Sequence, residues 1–309
     1  MNRIFFSTDM HGSEVTFQKY LGAASFYKAD IMILGGDISG KGIAPLMKTD
    51  DGHVTSQIAG KNYSAKSPQE IEKLSSLIRD MGYYGFTTSR EEWVSINSDG
   101  TKMDELFIKL STDRLKHWNE LAKEKLPKNV PKIFVTGGND DPFAIDDVLE
   151  ASESFIYCHN KVVKVADHEM ICTGYANMTP WKLPRDTTEE HLTQIIDDLA
   201  SQVKDMKNSI FDIHVPPYNS KLDEAPKLTE DMKAKAEFVP VGSTAVRNAI
   251  EKYQPLLGLH GHIHESRAAI NIGRTLCVNP GSEYGEGILR GAVINLEPGK
   301  VKGYILTSG

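Results

Sequence analysis

Five short apolar runs, each ending in a polar cluster, constrain this chain more than any other feature of its sequence. Ile4 to Phe6, Ile31 to Leu34, Ile133 to Val135, Ile210 to Ile213 and Leu256 to Leu259 are near-continuous in aliphatic and aromatic residues rather than alternating. That is the pattern of strands buried on both faces. Each run leads into polar residues: Asp9-Met10-His11, Gly36-Asp37, Gly138-Asn139-Asp140, His214, and His260-Gly261-His262-Ile263-His264. In α/β sheets, functional groups collect just past the C-terminal ends of strands, where loops from separate strands converge. The five clusters are therefore expected to meet at one rim.

Helices are expected between the runs. Leu192, Ile195, Leu199 and Val203 fall at helical spacing, as do Val241, Ala245, Ala249 and Tyr253 after a Gly242-Ser243-Thr244 opening. Leu115, Trp118 and Ala122 mark a third, closed off by Pro127 and Pro131. Asp141-Pro142 offers an N-cap followed by proline at the first helical position, which predicts a helix from there to about Glu150. After Arg267, short strands and tight turns (Ala269 to Ile272, Thr275 to Val278, Ile288 to Leu296, Val301 to Leu306) read as an antiparallel meander.

The fold class is thus α/β, and residues 1–309 form one domain. The stretch from Gly40 to Pro131 is long for a connection between core strands. It holds a polar piece from Thr49 to Ser67 and helices near Pro68 to Met81 and Lys102 to Lys125. With few apolar runs of its own, it reads as a helical insertion or cap at about 41–130, placed after the second strand.

Bulk properties exclude several function classes. The net charge of -7 provides no global basic field for DNA or an anionic membrane, and no Lys/Arg-rich run stands out, so a nucleic-acid partner is not expected. No apolar run approaches the roughly 20 residues needed to span a bilayer, and the apolar stretch Arg3 to Ser7 is too short for a secretory leader. Cys158, Cys172 and Cys277 are scattered and form no C-x-x-C pair, which suits reduced thiols in a cytoplasmic protein.

The polar clusters carry the chemistry. Divalent cations that activate water take carboxylate, imidazole and amide-oxygen ligands with positions left open. Asp9 and His11 stand on one turn, Asp37 has two oxygens with which to bridge two ions, Asn139 offers a neutral oxygen, and His214, His262 and His264 complete the set. Any one of these is weak alone; their ordered succession at strand ends is specific.

That order, Asp9-x-His11, Gly36-Asp37, Gly138-Asn139, His214, Gly261-His262-x-His264, resembles the calcineurin-like metallophosphoesterase family, from residue 9 to the Asn279-Pro280-Gly281-Ser282 turn. The resemblance implies a two-sheet β-sandwich flanked by helices, a four-layer αββα fold with a di-metal site at the strand ends. It implies that Asp9, His11 and His264 hold one ion and Asn139, His214 and His262 the other, with Asp37 between them. The metals would be two divalent ions drawn from manganese, iron, zinc and nickel, with manganese the first choice in vitro. The reaction would be hydrolysis of a small phosphodiester or phosphomonoester, such as a nucleotide, by a hydroxide bridging the ions. Asp37, Asn139, Asp140 and His214 are the candidate catalytic residues.

One position departs from the family. Its third motif usually reads Gly-Asn-His, where the histidine stands near the leaving-group oxygen; here it is Asp140. Beside two dications an aspartate should be ionised, a poor acid, and repellent to a phosphate anion. A scaffold with weak or no catalysis, or a nuclease of the same family, is the alternative reading. Outside the motifs, the Gly174 to Trp181 loop and Pro216-Pro217-Tyr218-Asn219 are candidates to shape a substrate pocket, and Arg247 and Arg267 are candidate phosphate contacts. His260 reads as either a ligand-orienting or a core residue, and His53, His117, His159, His168 and His191 as surface residues.

Overall fold

In the computed structural model, which describes residues 1–309 apart from Asp50, Pro131 and Glu230, the five apolar runs divide between two six-stranded sheets. In the first, Asn2–Ser7, Ile31–Gly35 and Ile133–Thr136 run parallel at the centre. In the second, Ile210–Ile213 lies between His168–Thr173 and Leu257–Leu259, again parallel.

Side-chain alternation explains why these strands are apolar throughout. Ile4, Phe6, Ile31 and Ile33 point between the sheets, against Met170, Ile210, Leu257, Leu259 and Val278. Phe5, Met32 and Leu34 point the other way, into a second cluster with Phe17, Tyr20, Leu115 and Trp118 from the helices Glu14–Phe26 and Gly100–Lys125. Phe211 and Ile213 likewise leave the sandwich for the helices Glu189–Ala200 and Thr244–Tyr253. Both faces of both sheets are covered, and the order helix, sheet, sheet, helix is a four-layer αββα sandwich.

Three expectations need correction. The tail is not a single meander. Ala268–Ile272 and Thr275–Asn279 form a hairpin on the second sheet, whereas Arg290–Glu297 and Lys300–Ser308 form one on the first, paired antiparallel to Asn2–Ser7. Each hairpin extends one sheet. The helix expected from Asp141 begins later, as a 3₁₀ turn at Phe143–Ile145 followed by Asp146–Glu150, because the Asp141 side chain is spent elsewhere.

The insertion is the third case. It contains the helices Pro68–Asp80 and Gly100–Lys125, and also a four-stranded sheet of Gly42–Lys48, Val54–Ile58, Lys61–Ala65 and Tyr83–Thr88. Ala44, Leu46, Val54, Ile58, Leu74 and Ile78 give it an apolar cluster of its own. Pro45 argues against a central strand from sequence alone. It is accommodated because only Met47 and Lys48 pair with the Val54–Ile58 strand. Of the two prolines expected to close the long helix, which ends at Lys125, Pro131 lies outside the described residues.

Candidate metal centre

The loops that follow the central strands bring the expected acids and imidazoles together. Ligand atoms of Asp9, His11 and His264 lie within 4.8 Å of one another, as do those of Asp37, His214 and His262, and of His11, Asp37 and Asp140. The groups overlap: His11 Nε2 is 3.1 Å from His264 Nε2 and 3.7 Å from Asp37 Oδ2, and His214 Nε2 is 3.3 Å from that same oxygen. Asn139 lines the same cavity as Asp37, His262 and His264.

The backbone is bent to achieve this. Asp9, His11, Asp37 and His262 all have positive φ, between 41° and 66°. Non-glycine residues seldom adopt this left-handed conformation, and it persists where surrounding structure enforces it. The enforcement is visible: Asp9 and His11 donate their backbone N–H groups to the carbonyls of Gly36 and Asp37 at 3.0 and 2.9 Å, and Ser282 Oγ donates to the Asp9 carbonyl at 2.7 Å. Gly138 must be glycine, since a Cβ there would stand 2.1 Å from Asp37 Oδ1.

Several polar atoms are left without partners. His214 Nδ1–H donates to the Gly35 carbonyl at 2.9 Å, which turns Nε2 inward, buried and without a well-formed hydrogen bond, facing Asp37 Oδ2. Asn139 donates its Nδ2 to Asp186 Oδ1 at 2.9 Å, leaving Oδ1 buried and unpartnered. Buried polar atoms ordinarily find partners. An imidazole nitrogen fixed by a bond through its other nitrogen, and an amide oxygen fixed through its nitrogen, are metal-ligand geometries. The electrostatics agree. Burial alone would depress the His214 pKa, yet the Asp37 carboxylate raises it to about 10, so the acids attract positive charge. Burial likewise works against ionised Asp9, but His264 holds it down to about 2. Burial, reinforced by the charge on His214, lowers His262 to about 4 and keeps its imidazole neutral.

Asp140 faces His11 Nδ1 at 3.8 Å and pairs with Lys41 Nζ at 3.1 Å. In the chain alone, burial and the nearby Asp37 raise its pKa, opposite to the lowering expected beside two cations. Lys41 balances the charge of this carboxylate. Nothing in the spacing singled out this lysine, four residues beyond Asp37.

Other residues escaped the sequence reading too. Asp141 is fully buried and accepts from the backbone N–H groups of Ile38, Ser39 and Gly138, tying the second and third motif loops together. Asp186 accepts from Asn139 and, through Oδ2, from the Thr179 and Leu183 N–H groups at 3.0 and 2.9 Å. Tyr284 stands 4.7 Å from the His11 ring. His159 and His168 are buried rather than superficial, His168 through Nδ1 against the Asn208 carbonyl. His260 is a buried core residue bonded to the Ile213 carbonyl. Arg247 pairs with Glu251, Arg267 reaches the Thr307 carbonyl, and neither lines the cavity that holds Asp37.

Layer architecture and strand-end cluster together define an αββα sandwich with an acid–imidazole centre able to hold metal ions. In motif order, the chain resembles the calcineurin-like metallophosphoesterases. No protein-family model matches the chain. An uncharacterised protein of Methanocaldococcus jannaschii, MJ1162, is 33% identical over 151 residues, 48% of this chain and 63% of that protein. The match thus spans less than two thirds of the relative's length. A solved structure with 16% identity, covering 95% of this chain and 94% of its own, superposes with a TM-score of 0.55, a likeness of fold. A novel archaeal phosphodiesterase is similar over 99% of each chain at 12% identity, with a TM-score of 0.38. Among the described residues, no helix is long and apolar enough to cross a membrane.

Proposed function

We propose that the chain is a metal-dependent hydrolase of small phosphate esters. The observation that carries this reading is the overlap of three acid–imidazole groups on the shared residues His11 and Asp37, with His214 Nε2 and Asn139 Oδ1 buried and without hydrogen-bond partners beside them. Asp9, His11 and His264 would hold one divalent ion, Asn139, His214 and His262 a second, and Asp37 would join the two. Bound there, the ions would supply an activated water and neutralise charge on the phosphoryl oxygens.

The chain's own residues do the rest. Gly35 and Asp186 fix the orientations of His214 and Asn139, so the ligand set is preorganised. Lys41 brings an ammonium group to the edge where Asp140 stands, and balances that carboxylate against an incoming anion. Asp140 has no proton to give while paired with Lys41, which suits esters whose leaving group departs without protonation. Manganese is the metal to test first, with iron, zinc and nickel as alternatives.

Turnover of bis-p-nitrophenyl phosphate against p-nitrophenyl phosphate, with manganese added, tests the reading and ranks diester against monoester. Metal-dependent release of nitrophenolate from either supports it. Absence of turnover with all four metals would leave an inert scaffold, the reading that Asp140 in place of histidine favours.

A further inference from the structure

The acid–imidazole cluster forms one end of a cavity of about 710 Å³. Asp37, Asn139, His262 and His264 lie at that end, with Lys41 and Asp140 beside them. Most of the remaining wall comes from two segments outside the cluster. One is the loop from Asn177 to Leu183, and the other is the two-stranded hairpin of Glu224–Leu228 and Ala234–Pro240.

This wall is mainly apolar, with Asn177 and Thr179 as its uncharged polar members. Met178, Pro180, Trp181, Leu228, Val239 and Val241 line it. Trp181 is 61% exposed and Met178 52% exposed. Trp181 therefore stands at the cavity wall with most of its surface in water. Large apolar groups left in water beside a preformed polar centre mark a surface that a ligand covers. Away from the cluster, Lys227 and Glu265 are the charged residues of the wall among the described residues, and Lys227 is already paired with Glu237 at 3.1 Å. Among the described lining residues, the cavity thus offers one anion-binding end and, on the far wall, a single cation, Lys227, which is already engaged by Glu237.

We infer that the ester's organic arm is apolar, an alkyl or aryl group, seated between Trp181 and the Leu228–Val239 face of the hairpin. A phosphoryl group on the cluster leaves the rest of the ester no other part of this cavity to occupy. The arm's size is that of a small drug-like group, since the cavity volume falls in the ordinary range for such ligands. Polyphosphates and nucleic-acid strands are disfavoured, because each added anionic group would meet a mainly apolar wall whose one described cation, Lys227, is paired with Glu237. This inference rests on the proposed hydrolase reading for the position of the phosphoryl group, but binding alone can test it.

The test uses the manganese-loaded protein and three non-hydrolysable probes, methyl-, butyl- and hexylphosphonate, whose head group is constant. Calorimetric titration should show hexylphosphonate binding at least about tenfold tighter than methylphosphonate, since each buried methylene adds to affinity. In Trp181→Ala and in Val239→Asp that preference should shrink to about threefold or less. Trp181 is exposed, so its removal leaves the core intact, and circular dichroism of both variants would show it. Equal affinities across the series in the wild-type protein, or a preference that persists undiminished in both variants, would overturn the inference. Turnover of bis-p-nitrophenyl phosphate, measured on the same preparation, separates the two readings. Chain-length preference without turnover would retain the apolar-arm site and discard the hydrolase.

Discussion

Asn139 and Asp186, 47 residues apart in sequence, are joined by one hydrogen bond of 2.9 Å from Nδ2 to Oδ1. The other oxygen of Asp186 gathers the N–H groups of Thr179 and Leu183. A single carboxylate therefore orients a candidate metal ligand and holds the loop that walls the cavity.

Removing it should be felt at the metal. Asp186→Ala leaves a buried Nδ2 donor without a partner and frees the amide to turn. Affinity for one of two bound ions should fall about 10- to 100-fold, as for other residues that orient ligands from behind. Asp186→Asn should not rescue it, because one face of its amide would present N–H groups to the donors of Thr179 and Leu183. Metal titration followed by calorimetry measures this, and unchanged affinity for both ions in Asp186→Ala would refute the role.

Asp37 stands between His11 and His214 and belongs to two of the three ligand groups. Asp37→Ala should reduce bound metal below two ions per chain and lower kcat/KM by about a thousandfold or more, the scale of losing metal-based charge stabilisation. Metal analysis of the dialysed variant together with kinetics checks both effects. Full metal content and full rate would refute the bridging role proposed for Asp37.

Lys41 and Asp140 should behave as a coupled pair. Lys41→Met leaves an uncompensated carboxylate in the path of the substrate, and KM for an anionic diester should rise several-fold while kcat changes less. In Lys41→Met/Asp140→Asn much of the loss should return, a non-additivity expected of residues in contact. Asp140→His is expected to raise the rate most for esters with poor leaving groups, by restoring a proton donor. Strict additivity of the two substitutions would show that the pair does not act together.

Asp212 sits fully buried on the strand before His214, and burial lifts its pKa from 3.8 to about 7. The folded chain then binds more protons than the unfolded one between those two values, so its stability falls as pH rises through that window and is level above it. The full cost is on the order of 4 kcal/mol. Asp212→Asn, which matches the protonated form in shape, should be nearly neutral near pH 4 and stabilising at pH 7 and above. Urea denaturation of the metal-free protein across pH measures it, and a difference independent of pH would refute the assignment.

How far the sequence carried this reading depended on whether a residue's surroundings were local. Asp9, Asp37, Asn139 and His214 follow apolar runs whose strand character is set by burial on both faces, so their convergence could be anticipated. Asp186 and Lys41 gain their roles from loops packed by the tertiary fold, and no spacing in the chain announces them. The same holds for Trp181, whose position beside the hairpin decides that it lines a cavity rather than fills a core. The sheet of the insertion was missed for a different reason. Lys61–Ala65 is largely exposed and polar, and Gly42–Lys48 contains a proline, so neither has the continuous apolar signature of the core strands.

The left-handed backbone at Asp9, His11, Asp37 and His262 also shapes how the centre could be lost or rebuilt. A residue held against its conformational preference returns to the commoner hand when its support is withdrawn, and its side chain then swings to the opposite side of the chain. Damage to a supporting partner such as Ser282 would therefore misdirect Asp9 without touching the carboxylate itself. Grafting the seven side chains onto another scaffold would likewise fail unless the turns beneath them were copied as well.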